Sequence, residues 1–171
     1  MKETVQEYVQ RIQGKLAGQD PLKVQSAATK KLARIIKGAN PAKLRKRPAP
    51  DKWSVAEILA HLADAELVNA WRYRSILGAP GTPIQAYDQE AWAAAGQYSK
   101  RDARKSLEQF RVLRESNLAL LKSLSPEQRK LSGMHAERGE ESIERLTQLI
   151  AGHDINHLEQ VERLLAPKSR R

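Results

Sequence analysis

Apolar residues in this chain recur at intervals of three and four, and nowhere does a run of Val, Ile, Thr and aromatics alternate with polar residues. The first pattern lines one face of a helix, while the second, which a half-buried strand needs, is missing. Helix starts are just as frequent. Asp20-Pro21 and Asn40-Pro41 each set a capping side chain before a proline at the first helical position, where the missing N–H costs nothing. Ser54 with Glu57, and Ser125-Pro126 with Gln128, have the capping-box spacing, and Ser99 with Asp102 is a weaker form of it. These features predict an all-α fold. The main helices are expected at 3–15, 26–37, 54–77, 101–124 and 142–165, with shorter turns near 20–24, 41–45, 88–95 and 126–130. Three long helices and a broken N-terminal one make an antiparallel bundle. Residues 1–171 are read as one domain, long enough to bury a core without covalent staples. Residues 78–87 hold two glycines and two prolines, so no helix runs through them, and they form a long crossover of the kind that often covers a functional pocket.

What the composition excludes narrows the chemistry. The chain has no cysteine, so disulfides, thiolate zinc sites and cysteine nucleophiles are ruled out, and any metal must be held by nitrogen or oxygen. That composition fits a reducing cytoplasmic setting. The N-terminal MKETVQEYVQRIQG lacks the apolar segment of a signal peptide, and no later stretch is long enough to cross a bilayer, so a soluble cytoplasmic protein is expected. A net charge of +10 raises nucleic acid as a partner, but the charge is uneven. Residues 1–52 carry 13 Lys/Arg against 4 Asp/Glu, whereas residues 53–166 carry 14 against 16. The run Lys43, Arg45, Lys46 and Arg47 is read as a solvated basic connection, with a phosphate-binding patch as its alternative.

Three of the four histidines stand out against this background. His153 and His157 are four apart on the last predicted helix and therefore share a face, one turn from each other. At about 100° per residue, Leu146, Ile150, Val161 and Leu164 fall within about 80° of His153, so both rings sit inside the apolar stripe. His61 joins the stripe of Val55, Ile58, Leu62 and Ala65 on the helix opened by Ser54. Each imidazole alone suits a hydrogen-bonded core residue. Three inward-facing imidazoles from two helices suit a divalent metal better, because buried ring nitrogens without partners cost a few kcal/mol each. The spacing lacks the glutamate of HExxH, so that catalytic arrangement is not inferred.

Two stretches carry a resemblance: Trp53-Ser-Val-Ala-Glu-Ile-Leu-Ala-His61-Leu-Ala-Asp-Ala-Glu66 and Gly152-His-Asp-Ile-Asn-His-Leu-Glu-Gln160. With Tyr87-Asp-Gln-Glu-Ala-Trp92 and His135-Ala-Glu-Arg-Gly139 between them, the chain resembles the DinB-like, or YfiT-like, superfamily over nearly its whole length. The resemblance implies an up-down-down-up four-helix bundle with metal on His61, His153 and His157 and open coordination positions at a pocket mouth. It implies that homodimers are common and that relatives include thiol S-transferases and a mycothiol-dependent isomerase. It implies neither polymerase activity nor DNA binding.

The expected function is therefore a metal-dependent enzyme acting on a small molecule, either a low-molecular-weight-thiol S-transferase or a hydrolase. Its cofactor would be one divalent transition metal ion, zinc or nickel before iron or manganese, since imidazoles select poorly among them. A non-catalytic metal-binding protein is the rival reading, and its signature would be a site with no cavity above it. A nucleic-acid-binding face ranks third, for want of a recognition motif or interleaved aromatics. Asp64, Glu66 and Asp154 are candidates to orient a histidine through its second nitrogen, with Asp64 and Asp154 otherwise expected on the helix surface. His135 is read as an exposed loop histidine, with pocket lining as the alternative. Trp53, Trp71, Tyr73 and Trp92 are assigned to bundle packing or dimer contact, and Tyr87, Asp88 and Trp92 to a possible pocket wall.

Overall fold

The computed structural model describes residues 3–167. Its helices are α1 (Val5–Leu16), α2 (Pro21–Ile36), α3 (Pro41–Arg45), α4 (Val55–Gly78), α5 (Gln89–Ala95), α6 (Ala103–Ser123), α7 (Pro126–Lys130) and α8 (Ile143–Leu165). The capping signals act as their residue types require. Asp20 accepts from the Leu22 and Lys23 amides, and Ser54/Glu57 and Ser125/Gln128 form complete capping boxes. Because Asp20 caps a continuous run, α2 begins at Pro21 and replaces the expected turn at 20–24 plus helix at 26–37. The break in the N-terminal arm falls at Ala17 and Gly18, both left-handed. Asp102 itself caps α6, while the expected cap, Ser99, lies in a 3-10 turn at Tyr98–Lys100.

Shared core residues give the helix directions. Val55 and Ala56 of α4 meet Ala103 and Leu107 of α6 in one cluster, and Tyr73 and Ile76 meet Leu121 and Leu124 in another, so α4 and α6 are parallel. α8 runs the other way, with Ile143 and Leu146 in the second cluster and Leu158 and Val161 in the first. α2 is parallel to α8, since Gln25 donates to the Thr147 carbonyl at 2.8 Å while Ile36 lies at the Val161 end. The order is thus up (α2), down (α4), down (α6), up (α8), and α1 packs on α8 through Val9, Ile12 and Leu149. Two consecutive parallel helices require a connection that returns the length of the bundle, about 36 Å for the 24 residues of α4. Residues 79–102 make that return.

The crossover also supplies an element that the sequence reading lacked. Pro83–Ile84 (β1) pairs in parallel with Ser132–His135 (β2), which pairs antiparallel with Gly139–Ser142 (β3). Strands of two to four residues are too short to show a period. Gly133 permits the approach, because a Cβ there would lie 2.7 Å from the Ile84 side chain. The sheet caps one end of a mainly helical fold.

Polar groups also link the long helices. Arg114 of α6 donates to Glu66 of α4 at 2.8 Å and to Asp154 of α8 at 3.0 Å, and Asn117 donates to Glu66 at 2.9 Å, all four buried. Asp154 is therefore an interior ion-pair partner rather than the expected surface charge. Asp64 is also engaged, accepting from the Tyr98 hydroxyl at 2.7 Å and from Arg101 at 3.0 Å. Burial opposes the charge on Arg114, but Asp154 and Glu66 outweigh it and raise its pKa. Within the basic run, Arg47 pairs with buried Glu57 and Lys43 reaches the Leu165 carbonyl, so half of that run is tied to the bundle. Tyr73 is buried as expected, whereas Trp71 is 72% exposed and takes no part in bundle packing. Among the described residues, no helix is long and apolar enough to cross a membrane.

Candidate metal centre

α4 and α8 bring His61, His153 and His157 to one point. The capping box at Ser54 sets the phase of α4 so that His61, two turns in, faces the bundle axis, and the i, i+4 spacing does the same for the pair on α8. Nε2 of His153 lies 3.0 Å from Nε2 of His61 and 3.1 Å from Nε2 of His157, and ligand atoms of all three lie within 4.8 Å of one another. Three nitrogens about 2.0–2.1 Å from one tetrahedral ion stand roughly 3.3 Å apart, so the observed spacing fits a shared ion. His61 and His157 are 1% and 8% exposed, and His153 is half-buried.

Electrostatics favour the neutral, ligating form of each ring. Burial, reinforced by His157, pushes His61 down to about 3. Burial pushes His157 down to about 4 against the opposing hydrogen bond of Gln160, and burial with the two neighbouring rings holds His153 well below its ordinary value. Gln160 Oε1 accepts from His157 Nδ1 at 2.9 Å, which leaves the Nε2 lone pair of His157 directed at the cluster. Gln160 is thus the orienting group, and its signal in the sequence was the i, i+3 spacing from His157. None of the carboxylates proposed for that role touches a histidine, because Asp64, Glu66 and Asp154 are taken by Arg101, Arg114 and Asn117. Trp53 packs against the His61 ring, with centroids 5.0 Å apart and planes tilted by 52°.

A cavity of about 330 Å³ opens beside the cluster and is lined by His61 and His153 at one end and by Arg72, Tyr87 and His135 elsewhere, with Val9 and Ile12 of α1 as apolar wall. Tyr87 is a wall residue as expected. Asp88 instead caps α5, and Trp92 packs against Tyr87 with ring centroids 4.8 Å apart. His135 is corrected from an exposed loop residue to a strand residue only 3% exposed, because pairing of β2 with β1 turns its ring into the cavity. Burial, with Arg138 and Arg72 nearby, pushes it down to about 4. Arg72, which sequence reasoning did not single out, is 6% exposed, and burial followed by Arg138 lowers it to about 10. Its signal was a cation on the buried face of α4, three turns past His61.

An up-down-down-up bundle with three converging imidazoles beside a cavity defines a class of helical proteins with a candidate site for one metal ion. The chain belongs to the DinB superfamily, whose family model matches residues 26–161. It is similar to two proteins of Oceanobacillus iheyensis and to YfiT of Bacillus subtilis, all three named "putative metal-dependent hydrolase". The first Oceanobacillus protein is 25% identical over 141 residues, covering 82% of this chain and 81% of the relative. The second is 28% identical, covering 68% and 67%. YfiT is 26% identical over 113 residues, covering 66% and 64%. The solved structure of YfiT, described as an unusual four-helix bundle, matches with a TM-score of 0.75 at 24% identity, over 84% of each chain.

Proposed function

We propose that this chain is a metal-dependent hydrolase of small molecules, with one divalent ion held by Nε2 of His61, His153 and His157. The observation that carries the reading is the convergence of three inward-facing ring nitrogens at 3.0 and 3.1 Å beside a cavity. A divalent ion on three uncharged ligands keeps its full charge and open positions, and so supplies a Lewis acid that acidifies a water or thiol set against it. Gln160 holds His157 in its ligating tautomer, Trp53 packs against His61, and the apolar wall from α1 limits water around the reacting end. The names of the relatives support hydrolysis before transfer to a low-molecular-weight thiol. The cavity also argues against an ion that merely clamps two helices. Zinc and nickel suit this all-imidazole set, with iron or manganese behind them.

The test is metal analysis by inductively coupled plasma mass spectrometry on untagged protein. About one equivalent of metal per chain, lost in both His61→Ala and His157→Ala, is expected. A wild-type protein that takes up no metal on reconstitution would refute the site. A second copy of the chain is the proposed partner, since Leu67 and Trp71 lie exposed one turn apart on α4. Sedimentation of wild-type protein as a dimer and of Trp71→Ala as a monomer is the expected result. Wild-type sedimentation as a monomer would dismiss it.

A further inference from the structure

The end of the cavity away from the three histidines contains a cation without a counter-ion. Among the described residues, Arg72 forms no salt bridge. Its Nη2 donates to the Gln85 carbonyl at 2.8 Å, and its Nε is buried with no hydrogen-bond partner. The carboxylates nearby are committed or remote. Glu141 is held by Arg138 at 2.9 Å and Arg145 at 3.2 Å, Glu3 by Arg11 at 2.7 Å, and Glu137 stands exposed at the rim. A buried guanidinium left in this condition loses hydration without recovering a charge-assisted bond, an arrangement that persists when a ligand completes it.

The tautomer of His135 sharpens the point. A neutral ring can accept at only one nitrogen, and in the tautomer selected by the shorter contact, from the Glu137 amide to Nδ1 at 3.2 Å, the proton sits on Nε2. That same Nε2 lies 3.3 Å from Nη2 of Arg72. Two donors therefore face each other across the cavity wall, and an acceptor placed against both would relieve the conflict. Tyr87, whose ring lies 5.9 Å from the Arg72 guanidinium carbon, closes the side of this recess.

We propose that Arg72 and His135 form a carboxylate subsite that seats the anionic end of the substrate whose reacting bond lies at the three histidines. The assignment of a substrate end rests on the metal-dependent reading, whereas the subsite itself rests on Arg72 and His135 alone. A carboxylate is favoured over a phosphate dianion because Arg138, the other cation of the lining, is paired with Glu141, which leaves the single positive charge of Arg72 to balance a single negative one. Arg72 follows His61 by eleven residues on α4, about 16 Å along the axis and roughly 20° around it. Both side chains tilt toward the helix start and arginine is the longer, so the carboxylate and the reacting bond would stand on the order of 10 to 15 Å apart. The substrate class is thus a small molecule with a carboxylate at one end and a hydrolysable bond at the other.

The experiment is a titration of 15N-labelled, EDTA-treated protein with hexanoate, read at the arginine Nε–Hε signals. Removing metal keeps the probe off the histidine site and makes the outcome independent of metal analysis. A saturable shift of the Arg72 signal is expected, with affinity lowered about tenfold or more in Arg72→Met and weakened in His135→Phe. Arg72→Met should stay folded, because the replaced group loses one hydrogen bond, to the Gln85 carbonyl, and no ionic partner. If that variant fails to fold, the wild-type Arg72 signal and the Arg72→Lys variant decide instead. No saturable shift up to about 100 mM hexanoate, or equal binding by wild type and Arg72→Met, overturns the proposal. Tighter binding of inorganic phosphate than of hexanoate overturns the carboxylate assignment.

Discussion

Gly152 lies in the interior of α8, one residue before His153, where alanine would ordinarily raise helix stability by up to about 1 kcal/mol. Here the sign should reverse. A Cβ at this position would lie 2.1 Å from the Ile12 carbonyl oxygen and 2.9 Å from its carbon, both backbone atoms of α1. Reaching ordinary contact at 3.4 Å requires α1 to retreat by about 1 Å or more. Val9 and Ile12 are 7% and 1% exposed, and full loss of their burial would cost about 3 to 6 kcal/mol. A retreat of this size forfeits roughly half of that contact energy, so Gly152→Ala should lose about 0.5 to 2 kcal/mol after its gain in propensity. At this chain length the melting temperature should fall by about 1 to 8 °C. Hydrogen exchange should speed up in α1 first, because the displaced helix is the wall of the cavity and not part of the bundle core. Urea unfolding gives the free energy directly. A variant as stable as wild type, with α1 amides equally protected, would refute the close packing of α1 on α8 and with it the closed wall beside His153.

Acid should destabilise the metal-free protein. His61 at about 3 and His157 at about 4 lie below the ordinary 6.5, so the folded state prefers them neutral. Their contribution is complete above pH 6.5 and is lost as pH falls toward 4 and 3, about 2 kcal/mol from each by pH 5, and unchanged urea midpoints at pH 7 and pH 5 would contradict it. Arg114→Met should cost about 3 to 5 kcal/mol by stranding buried Glu66 and Asp154, and the triple variant with Glu66→Gln and Asp154→Asn should recover a large part of it. Equal unfolding free energies for the single and triple variants would count against the ionic network. Gln160→Ala should weaken metal affinity about 10- to 100-fold in a chelator competition while leaving stoichiometry intact. An unaltered affinity would remove Gln160 from its orienting role.

Much of the helical framework was legible because its determinants are local. Asp20, Asn40, Ser54 and Ser125 cap the helices that follow them through bonds to amides two or three residues away, so sequence neighbours suffice to locate the starts. The inward phase of His61, His153 and His157 follows from the 3.6-residue repeat, which needs only the apolar residues on the same helix. Misplacements arose where local signals competed. The prolines of the crossover correctly excluded a helix, but strand pairing between Pro83–Ile84 and Ser132–His135 joins segments about fifty residues apart and leaves no period in either.

The one-turn pairing of His153 with His157, the helix starts and the exclusion of thiolate chemistry were therefore determined by the sequence itself. Burial of Glu66 and Asp154 was decided by the tertiary structure, because these two carboxylates enter the interior only with a cation that arrives from another helix. Arg114 does this for Glu66 and Asp154, and no pattern within α4 or α8 could announce it. The same reason hid Arg72 and His135. One lies on a long helix and the other on a four-residue strand, and only the closure of the sheet over the bundle end sets their donors face to face without an acceptor between them.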